Sequence, residues 1–327
     1  MDTIYIENEI AEHPRARRIL KRFPRARRIP IKRYGDVFNA PMQNFRAQKR
    51  NPALILAGKH GRRVHPTPPE YHIGGRRNFY FSHMLNCVYD CRYCFLQGMY
   101  RSANHVVFVN HEDFFRDIAA TSREATERAF FFSGYECDSL ALDPVTGFVD
   151  SALDAFAALP EATLEIRTKS TQIRPLLRRK ALTNVVVAFS LSPTGIAANE
   201  EQGAPSLAKR LDALTTLQEA GWLIGLRFDP LLLVPDFATV YGDFFDAVAA
   251  RLDMTTVHSV SIGEFRLPTR FHRRLVRLYP DARLLAAPMN EQNGLVSYPV
   301  AERTAMREFC LDALSRHIRD DQLFPCS

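Results

Sequence analysis

Three cysteines lie within one short loop of this 327-residue chain. Cys87, Cys91 and Cys94 have the spacing C-x3-C-x2-C, and they follow an aromatic run at residues 78–81 that is typical of a strand. Such a loop can bring three thiolates to one centre, where thiolates bind zinc or iron. A closed zinc site needs four protein ligands, and no fourth Cys or His lies nearby at finger spacing. The pattern therefore favours a 4Fe-4S cluster with one iron open to a non-protein ligand. A zinc knot or a disulfide pair is the alternative.

This loop, followed by an aromatic residue, resembles the signature of radical S-adenosylmethionine (SAM) enzymes. The continuation YCFLQ at residues 93–97 narrows the resemblance to the spore photoproduct lyase family, and further matches extend over nearly the whole chain. The resemblance implies a 4Fe-4S cluster and SAM as cofactors. It also implies that one-electron cleavage of SAM gives a 5′-deoxyadenosyl radical, which removes hydrogen from a thymine dimer in DNA.

Apolar strand-like runs recur from residue 79 onward and alternate with amphipathic helical stretches. The strand-like runs lie at residues 79–81, 129–132, 163–167, 185–189, 224–228 and 257–262. The helical stretches lie at residues 112–123, 145–158, 206–220 and 237–252. This alternation predicts an α/β fold with a parallel sheet curled into a partial (βα)6 TIM-like barrel, which the resemblance to radical SAM enzymes also implies.

The rest of the chain divides around this barrel. Residues 1–77 contain many prolines and little sustained periodicity, which predicts a basic N-terminal appendage that wraps the core. The barrel is expected over residues 78–285. Asn293-Gly294 before an alternating run predicts a hairpin, and residues 301–318 predict a helix, so residues 286–327 form a C-terminal hairpin and helix.

Polar residues follow the predicted strands, and the carboxyl ends of barrel strands are where ligands gather. The resemblance places SAM at these loops, and Lys169 can hold a carboxylate such as that of SAM. Each position alone is also typical of a structural turn. The residues expected to bind the cofactor are Ser133, Gly134, Lys169, Ser190 and Asp229.

In the lyases that the chain resembles, a cysteine after the second strand returns hydrogen to the product, helped by tyrosines that flank the third cluster cysteine. Alignment on Asp138 puts Tyr135 at the donor position, with Cys137 two residues later. The first tyrosine is kept as Tyr93, whereas the second is Phe95. Residues two apart in an extended segment face the same side. We therefore expect Cys137 to return the hydrogen, with Tyr135 as the alternative.

The chain carries 43 basic against 36 acidic residues, a net charge of +7, and the excess is concentrated before the cluster loop. This distribution favours a polyanionic partner, although a solvated arginine-rich surface is the alternative. In lyase relatives a hairpin in the C-terminal part is inserted at the damaged step of DNA, where Tyr298 and Leu295 would be the wedge residues here. The residues expected to contact nucleic acid are Arg25, Arg27, Arg28, Arg76, Arg77 and Tyr298.

No apolar run reaches the length of a membrane span, and the first residues lack the pattern of a secretory signal. We therefore expect a cytoplasmic monomer that receives electrons from a donor such as flavodoxin or ferredoxin. Two other functions stay open from the sequence. One is radical SAM chemistry on RNA, a nucleotide or a peptide, and the other is a non-catalytic iron-sulfur protein that binds nucleic acid.

Overall fold

The computed structural model describes residues 1–326. The strands are β1 (Thr3–Glu7), β2 (Arg27–Ile31), β3 (Leu54–Ala57), β4 (His65–Pro66), β5 (Arg77–Phe81), β6 (Met84–Leu85), β7 (Asp90–Cys91), β8 (His105–Phe108), β9 (Ala129–Ser133), β10 (Ala162–Thr168), β11 (Val185–Ser190), β12 (Glu201–Gln202), β13 (Leu223–Leu231), β14 (Ser259–Glu264), β15 (Arg266–Pro268), β16 (Asn290–Gln292) and β17 (Leu295–Ser297). The α-helices are α1 (Pro14–Arg22), α2 (Phe45–Arg50), α3 (Phe95–Met99), α4 (His111–Arg123), α5 (Asp143–Thr146), α6 (Phe148–Ala157), α7 (Arg174–Leu177), α8 (Thr194–Glu200), α9 (Leu207–Glu219), α10 (Phe237–Ala249), α11 (Thr269–Leu278) and α12 (Val300–Ser315).

The main sheet has the strand order β14-β13-β11-β10-β9-β5-β4. Six strands of this sheet are parallel to one another: β5, β9, β10, β11, β13 and β14. The seventh, β4, pairs with β5 in the antiparallel direction. Every residue of β11 is buried, as expected for a parallel strand covered on both faces. The six predicted strands are therefore confirmed, in the order and direction that a partial (βα)6 barrel requires.

Three of the four predicted barrel helices are confirmed as α4, α9 and α10, but the single helix expected over residues 145–158 is wrong. The chain turns at Gly147, whose φ of 61° is left-handed, and this turn separates α5 from α6. Asp143 stabilises the break because its Oδ1 accepts a hydrogen bond from the amide of Val149 at 2.8 Å. A carboxylate at the start of a helix satisfies an amide that the helix itself leaves free.

The N-terminal region forms a second sheet with the order β2-β1-β3-β8-β6. This finding corrects the expected appendage over residues 1–77, because β6 and β8 come from residues beyond that boundary. A smaller core fills the space beside this sheet, and it includes Ile4, Ile19 and Leu54. The cluster loop leaves directly from β6, so the second sheet helps to position the cysteines.

The C-terminal region follows the prediction of a hairpin and a helix. Asn293 and Gly294 both have positive φ, 52° and 75°, as the tightest hairpin turns require. They join β16 to β17, which also pairs with β15. After α12, the segment 323–326 runs parallel to β14 through a bridge between Leu323 and Val260. None of the helices in residues 1–326 is both long enough and apolar enough to span a membrane.

Candidate iron-sulfur site

The cluster loop is clamped to the barrel by backbone pairing. β7, which contains Cys91, pairs with β12, and the amide of Arg92 donates to the carbonyl of Glu200 at 2.9 Å. Cys94 is the residue that precedes α3, so its position is fixed by the start of that helix. Cys91 is buried, whereas Cys87 and Cys94 are half-buried. The loop therefore presents three anchored thiols at one place.

The donor set fits an iron-sulfur cluster better than one zinc ion or a disulfide. All three cysteines are free thiols. Within residues 1–326 they do not form a group whose ligand atoms all lie within 4.8 Å of one another. Ligands of a single zinc ion lie about 2.3 Å from it and so close together, whereas cluster thiolates bind different irons. Burial raises the pKa of Cys87 to about 12, so a bound cation is needed to hold this group as a thiolate at neutral pH.

A buried charged network lies behind the loop. The phenol of Tyr93 donates a hydrogen bond to Glu201, and the guanidinium of Arg210 forms an ion pair with the same carboxylate. The hydroxyl of Ser192 donates to Glu201 at 3.1 Å, and Arg210 also donates to the carbonyl of Ser190 at 3.1 Å. Glu201 and Arg210 are both fully buried. Their contacts join the cluster loop, the end of β11 and the start of α9 into one unit.

Lys169 completes this network at the end of β10. Its Nζ lies 5.6 Å from the centre of the Tyr93 ring. Burial alone would lower the pKa of Lys169, but the carboxylate of Glu201 outweighs burial and raises it. Burial likewise opposes the charge of Glu201, yet Lys169 and Arg210 lower the pKa of its carboxyl. Both groups are therefore charged, and Lys169 offers a cation beside the cluster loop.

Asp138 fastens the loop after β9 to the end of β10. Its Oδ1 accepts hydrogen bonds from the amides of Leu140 and Ala141 and from the hydroxyl of Thr168, at 3.0, 2.9 and 2.7 Å. Its Oδ2 accepts from the amide of Lys169 at 2.7 Å. The carboxylate therefore fixes the backbone on which Lys169 stands.

The other predicted cofactor residues differ in what their side chains contact. The hydroxyl of Ser133 is turned inward, 2.8 Å from the Ser139 hydroxyl and 2.9 Å from the Glu165 carbonyl oxygen. A Cβ on Gly134 would lie 2.6 Å from the Ser139 hydroxyl, so only glycine fits there. These contacts give Ser133 and Gly134 a structural role in the turn. Ser190 is the last residue of β11, and Asp229 lies within β13. SAM binding by the five predicted residues stays a prediction.

The two predicted hydrogen donors face different surroundings. Residues 135–137 form a bend rather than an extended segment, so the expectation that Tyr135 and Cys137 share one side is wrong. The Tyr135 ring stacks on Tyr80, with the ring centres 4.2 Å apart, and its centre lies 5.7 Å from that of Phe95. The Cys137 thiol packs in the smaller core, 4.0 Å from Nδ1 of His83. A donor role for Cys137 stays a prediction.

One of the predicted nucleic-acid contacts is wrong, and a second makes structural hydrogen bonds. Tyr298 is 1% exposed, and its hydroxyl accepts a hydrogen bond from the amide of Leu233 at 3.1 Å, so it is a core residue and not a wedge. Leu295 is exposed on the hairpin, as a wedge would need to be. Arg77 donates to the carbonyls of Thr121 and Glu127, at 2.6 and 2.9 Å, which gives it a structural role at the end of α4.

The remaining predicted contacts are exposed arginines. Arg76 has 90% of its side chain exposed and pairs with Glu127. Arg25, Arg27 and Arg28 are exposed on or beside β2. β2 is the edge of the second sheet farthest from β6, which leads into the cluster loop. Four strand spacings separate the two, about 19 Å at 4.8 Å per strand.

Comparison with known proteins decides the family. The family model described as spore photoproduct lyase matches residues 1–298. The chain belongs to the spore photoproduct lyase family. Membership confirms the expected class, a radical SAM lyase with SAM and a 4Fe-4S cluster as cofactors. The match also includes the cluster loop and all six barrel strands.

Curated relatives and solved structures agree with this assignment. The spore photoproduct lyase of Bacillus subtilis (strain 168) is 23% identical over 295 residues, which cover 86% of this chain and 83% of the relative. That of Geobacillus sp. (strain Y412MC61) is 24% identical over 205 residues, which cover 61% and 59%. A mutant spore photoproduct lyase with bound AdoMet and dinucleoside spore photoproduct superposes with a TM-score of 0.86 at 18% identity, over 100% of this chain and 98% of the other. This likeness confirms the fold.

Proposed function

We propose that this protein reverses a thymine-dimer photolesion in DNA by radical SAM chemistry. The observation that carries the proposal is the anchored loop of Cys87, Cys91 and Cys94 within a chain that matches the spore photoproduct lyase family over residues 1–298. A solved relative with bound dinucleoside spore photoproduct supports this class of substrate. RNA, nucleotide or peptide substrates, and a non-catalytic role, are not favoured by the family match.

The residues around the cluster loop have different roles in the proposed reaction. Cys87, Cys91 and Cys94 would hold the cluster, which when bound supplies the single electron that cleaves SAM. Lys169 stands beside the loop as a cation for the carboxylate of SAM. Glu201 and Arg210 keep the loop and Tyr93 in place from behind.

An aromatic wall shields one side of the site. Tyr80, Tyr135 and Phe95 pack ring against ring between β5 and α3. Apolar rings exclude water, which protects a reactive radical from side reactions. We therefore assign Tyr135 to the wall of the substrate cavity, beside the cluster loop.

Helix α11 forms a positive surface next to the cluster loop. Phe271 and Leu275 are buried on its inner face, where they contact Gly98 of α3. The outer face exposes Arg270, Arg273 and Arg277, among others. Because α3 begins directly after Cys94, these arginines flank the cluster loop. We infer that α11 contacts the phosphates of DNA next to the lesion. Phosphate contacts by Arg25, Arg27, Arg28 and Arg76 stay a prediction.

The decisive experiment is anaerobic reconstitution with iron and sulfide, followed by reaction with SAM, a chemical reductant and the dinucleoside spore photoproduct. We expect 5′-deoxyadenosine and two thymine nucleosides as products. Replacing any one of Cys87, Cys91 and Cys94 by Ala should abolish both products, because an iron then lacks its protein ligand. Cys310→Ala, a buried cysteine of α12, is the matched control and should keep both.

Two outcomes would overturn the proposal. Full iron and sulfide content in a variant that lacks all three cysteines would contradict the cluster site. Formation of 5′-deoxyadenosine without thymine release from the lesion would contradict the substrate. We further propose a cytoplasmic monomer that takes electrons from flavodoxin or ferredoxin, which size-exclusion chromatography and replacement of the chemical reductant by either protein would test.

A further inference from the structure

A third cysteine outside the cluster loop lies at the mouth of the barrel. Cys326 belongs to the segment beside β14, and its amide donates to the carbonyl of Ile262 at 2.7 Å. It lies beyond residues 1–298, over which the family match extends. The side chain is buried, with 3% of the residue exposed. The segment therefore acts as an extra strand that brings Cys326 to the carboxyl end of β14.

The surroundings of Cys326 are the ends of two barrel strands. The guanidinium of Arg266 donates to the carbonyl of Cys326 at 3.2 Å. A Cβ on Gly263 would lie 2.9 Å from that carbonyl oxygen and 3.2 Å from Oδ1 of Asp229. Gly263 thus leaves room for the carbonyl group of Cys326 to approach the Asp229 carboxylate near the end of β13. In barrels of this type, ligands bind at this end of the strands.

A second observation points to a ligand in the same place. Ser261 is 2% exposed, and its hydroxyl has no hydrogen-bond partner among residues 1–326. Alternation along β14 puts Ser261 on the same face as Ser259 and Gly263. Ser259 points into the barrel, where its hydroxyl accepts from Arg227 at 2.9 Å. The unpartnered hydroxyl of Ser261 therefore also points inward, two residues before Gly263, which the bridge between Val260 and Leu323 puts in register with Cys326. A buried polar group without a partner is expected to meet a polar ligand.

The state of the Cys326 thiol suits hydrogen donation. Burial and the carboxylate of Asp229 raise its pKa to about 11, against the opposing charges of Arg167 and Arg266. The sulfur consequently keeps its proton at neutral pH. An S-H bond is weaker than most C-H bonds, so a thiol gives up a hydrogen atom readily to a carbon radical.

We propose that Cys326 returns the hydrogen atom to the substrate-derived radical in the proposed function. A C-H bond forms on the substrate and the S-H bond of Cys326 breaks, which leaves a thiyl radical on the sulfur. One electron from the low-potential protein donor and one proton from water restore the thiol. This role rests on the proposed repair reaction. It differs from the expected donor Cys137, whose thiol packs in the smaller core.

The test compares three variants under the anaerobic conditions given above: Cys326→Ser, Cys137→Ser and Tyr135→Phe. Cys326→Ser should form 5′-deoxyadenosine at the wild-type rate but lose most of its thymine release, because the O-H bond of serine is too strong to give a hydrogen atom readily to a carbon radical. Adducts of the product radical should rise in its place. Cys137→Ser and Tyr135→Phe, which test the two other candidate donors, should each slow thymine release less than Cys326→Ser does.

Thymine release from Cys326→Ser at the wild-type rate would overturn the role of Cys326, and the variant that stalls instead would identify the donor. A wild-type protein that cleaves SAM but releases no thymine would overturn the proposed function, and the role of Cys326 with it. The two failures are therefore distinguishable.

A measurement without turnover checks the position of Cys326. Binding of the dinucleoside spore photoproduct to the protein without its cluster should be unchanged in Cys326→Ser. In Cys326→Phe, affinity should fall at least tenfold because the larger ring occupies the mouth. Thermal melting of both variants shows whether they are folded. Unchanged binding by a folded Cys326→Phe would contradict a position in the substrate cavity.

Discussion

Tyr93 and Glu201 are joined by a hydrogen bond although 108 residues separate them in the chain. Glu201 is at the same time the partner of Arg210 in a fully buried ion pair. A buried charge that loses its partner is costly, whereas the intact pair adds little to stability by itself. The ion pair between Glu201 and Arg210 instead fixes a position. It holds Tyr93, which lies between Cys91 and Cys94, against the barrel.

Glu201→Gln should destabilise the protein without its cluster by about 3–5 kcal/mol, because Arg210 is left buried without a counter-charge. Urea unfolding followed by circular dichroism measures this change. The variant should also lose iron on gel filtration after reconstitution. Glu200→Gln is the matched control, since this neighbouring carboxylate is half-buried and makes no ion pair within residues 1–326. Equal stabilities of the two variants would contradict the positional role of Glu201.

The contact between α3 and α11 depends on Gly98. A Cβ at this position would lie 2.7 Å from Cα of Phe271 and from Cδ1 of Leu275. Gly98→Ala should therefore destabilise the fold by about 1–3 kcal/mol, as overpacking typically does, even though alanine favours a helix. Thermal unfolding and iron retention measure the effect.

Gly195→Ala is the matched control for Gly98→Ala, because a Cβ there meets nothing within 4 Å in helix α8. It should stabilise the protein slightly, by about 0.5–1 kcal/mol. Similar effects of the two substitutions would show that helix preference, and not the contact with α11, decides the outcome at Gly98.

The charges of α11 should dominate DNA binding near the lesion. Changing Arg270, Arg273 and Arg277 together to Gln should reduce the slope of log affinity against log salt by up to about 2.7, or roughly 0.9 for each phosphate released. Fluorescence anisotropy with a lesion-containing duplex at several salt concentrations gives this slope. The same triple change at Arg25, Arg27 and Arg28 is the comparison. If the triple change at Arg25, Arg27 and Arg28 reduces the slope more than the change on α11 does, the DNA binds mainly along the second sheet.

Asp143 should make stability depend on pH. Burial raises the pKa of this carboxyl to about 6, against the lowering effect of the Val149 amide. Between pH 4 and 6 the folded state keeps a proton that the unfolded chain has lost, so the free energy of unfolding falls as pH rises. The rise from 3.8 corresponds to roughly 3 kcal/mol. Asp143→Asn does not titrate, and its stability relative to the wild type should increase by up to that amount from pH 4 to pH 7.

Urea unfolding of both proteins at pH 4, 5, 6 and 7 tests this difference. Asp154→Asn, on the exposed side of the same helix α6, is the control and should stay within about 0.5 kcal/mol of the wild type. A difference between Asp143→Asn and wild type that is constant with pH would show that Asp143 is ionised in the folded protein throughout.

The barrel could be predicted from the sequence because each of its parallel strands is a short apolar run. Short apolar runs that alternate with amphipathic helices are typical of a parallel α/β fold and have few other interpretations. The cluster loop was predictable for a similar reason, since ligand chemistry requires a fixed local spacing. The second sheet was missed because its strands are separated by the cluster loop itself. Periodicity within a window reports local structure and not which distant strands pair.

The side-chain network behind the cluster was also missed, although one signal was available. Arg210 lies between Leu207 and Leu211 on the apolar face of α9, and a charge on such a face predicts a buried partner. Finding that the partner is Glu201 required the fold. Tyr298 shows the opposite error, because an aromatic residue after a hairpin suits both a wedge and the core, and only its hydrogen bond to Leu233 decides between them.

The pairing of β7 with β12 sets an order of events during biosynthesis. Cys91 is made early, but its backbone partner Glu201 and the counter-charge Arg210 come from the second half of the barrel. Until that half is synthesised and folded, the loop lacks the backbone pairing and the buried ion pair that hold it against the barrel. We expect cluster insertion in the cell to follow release from the ribosome, and nascent chains that stop before residue 201 to acquire no iron.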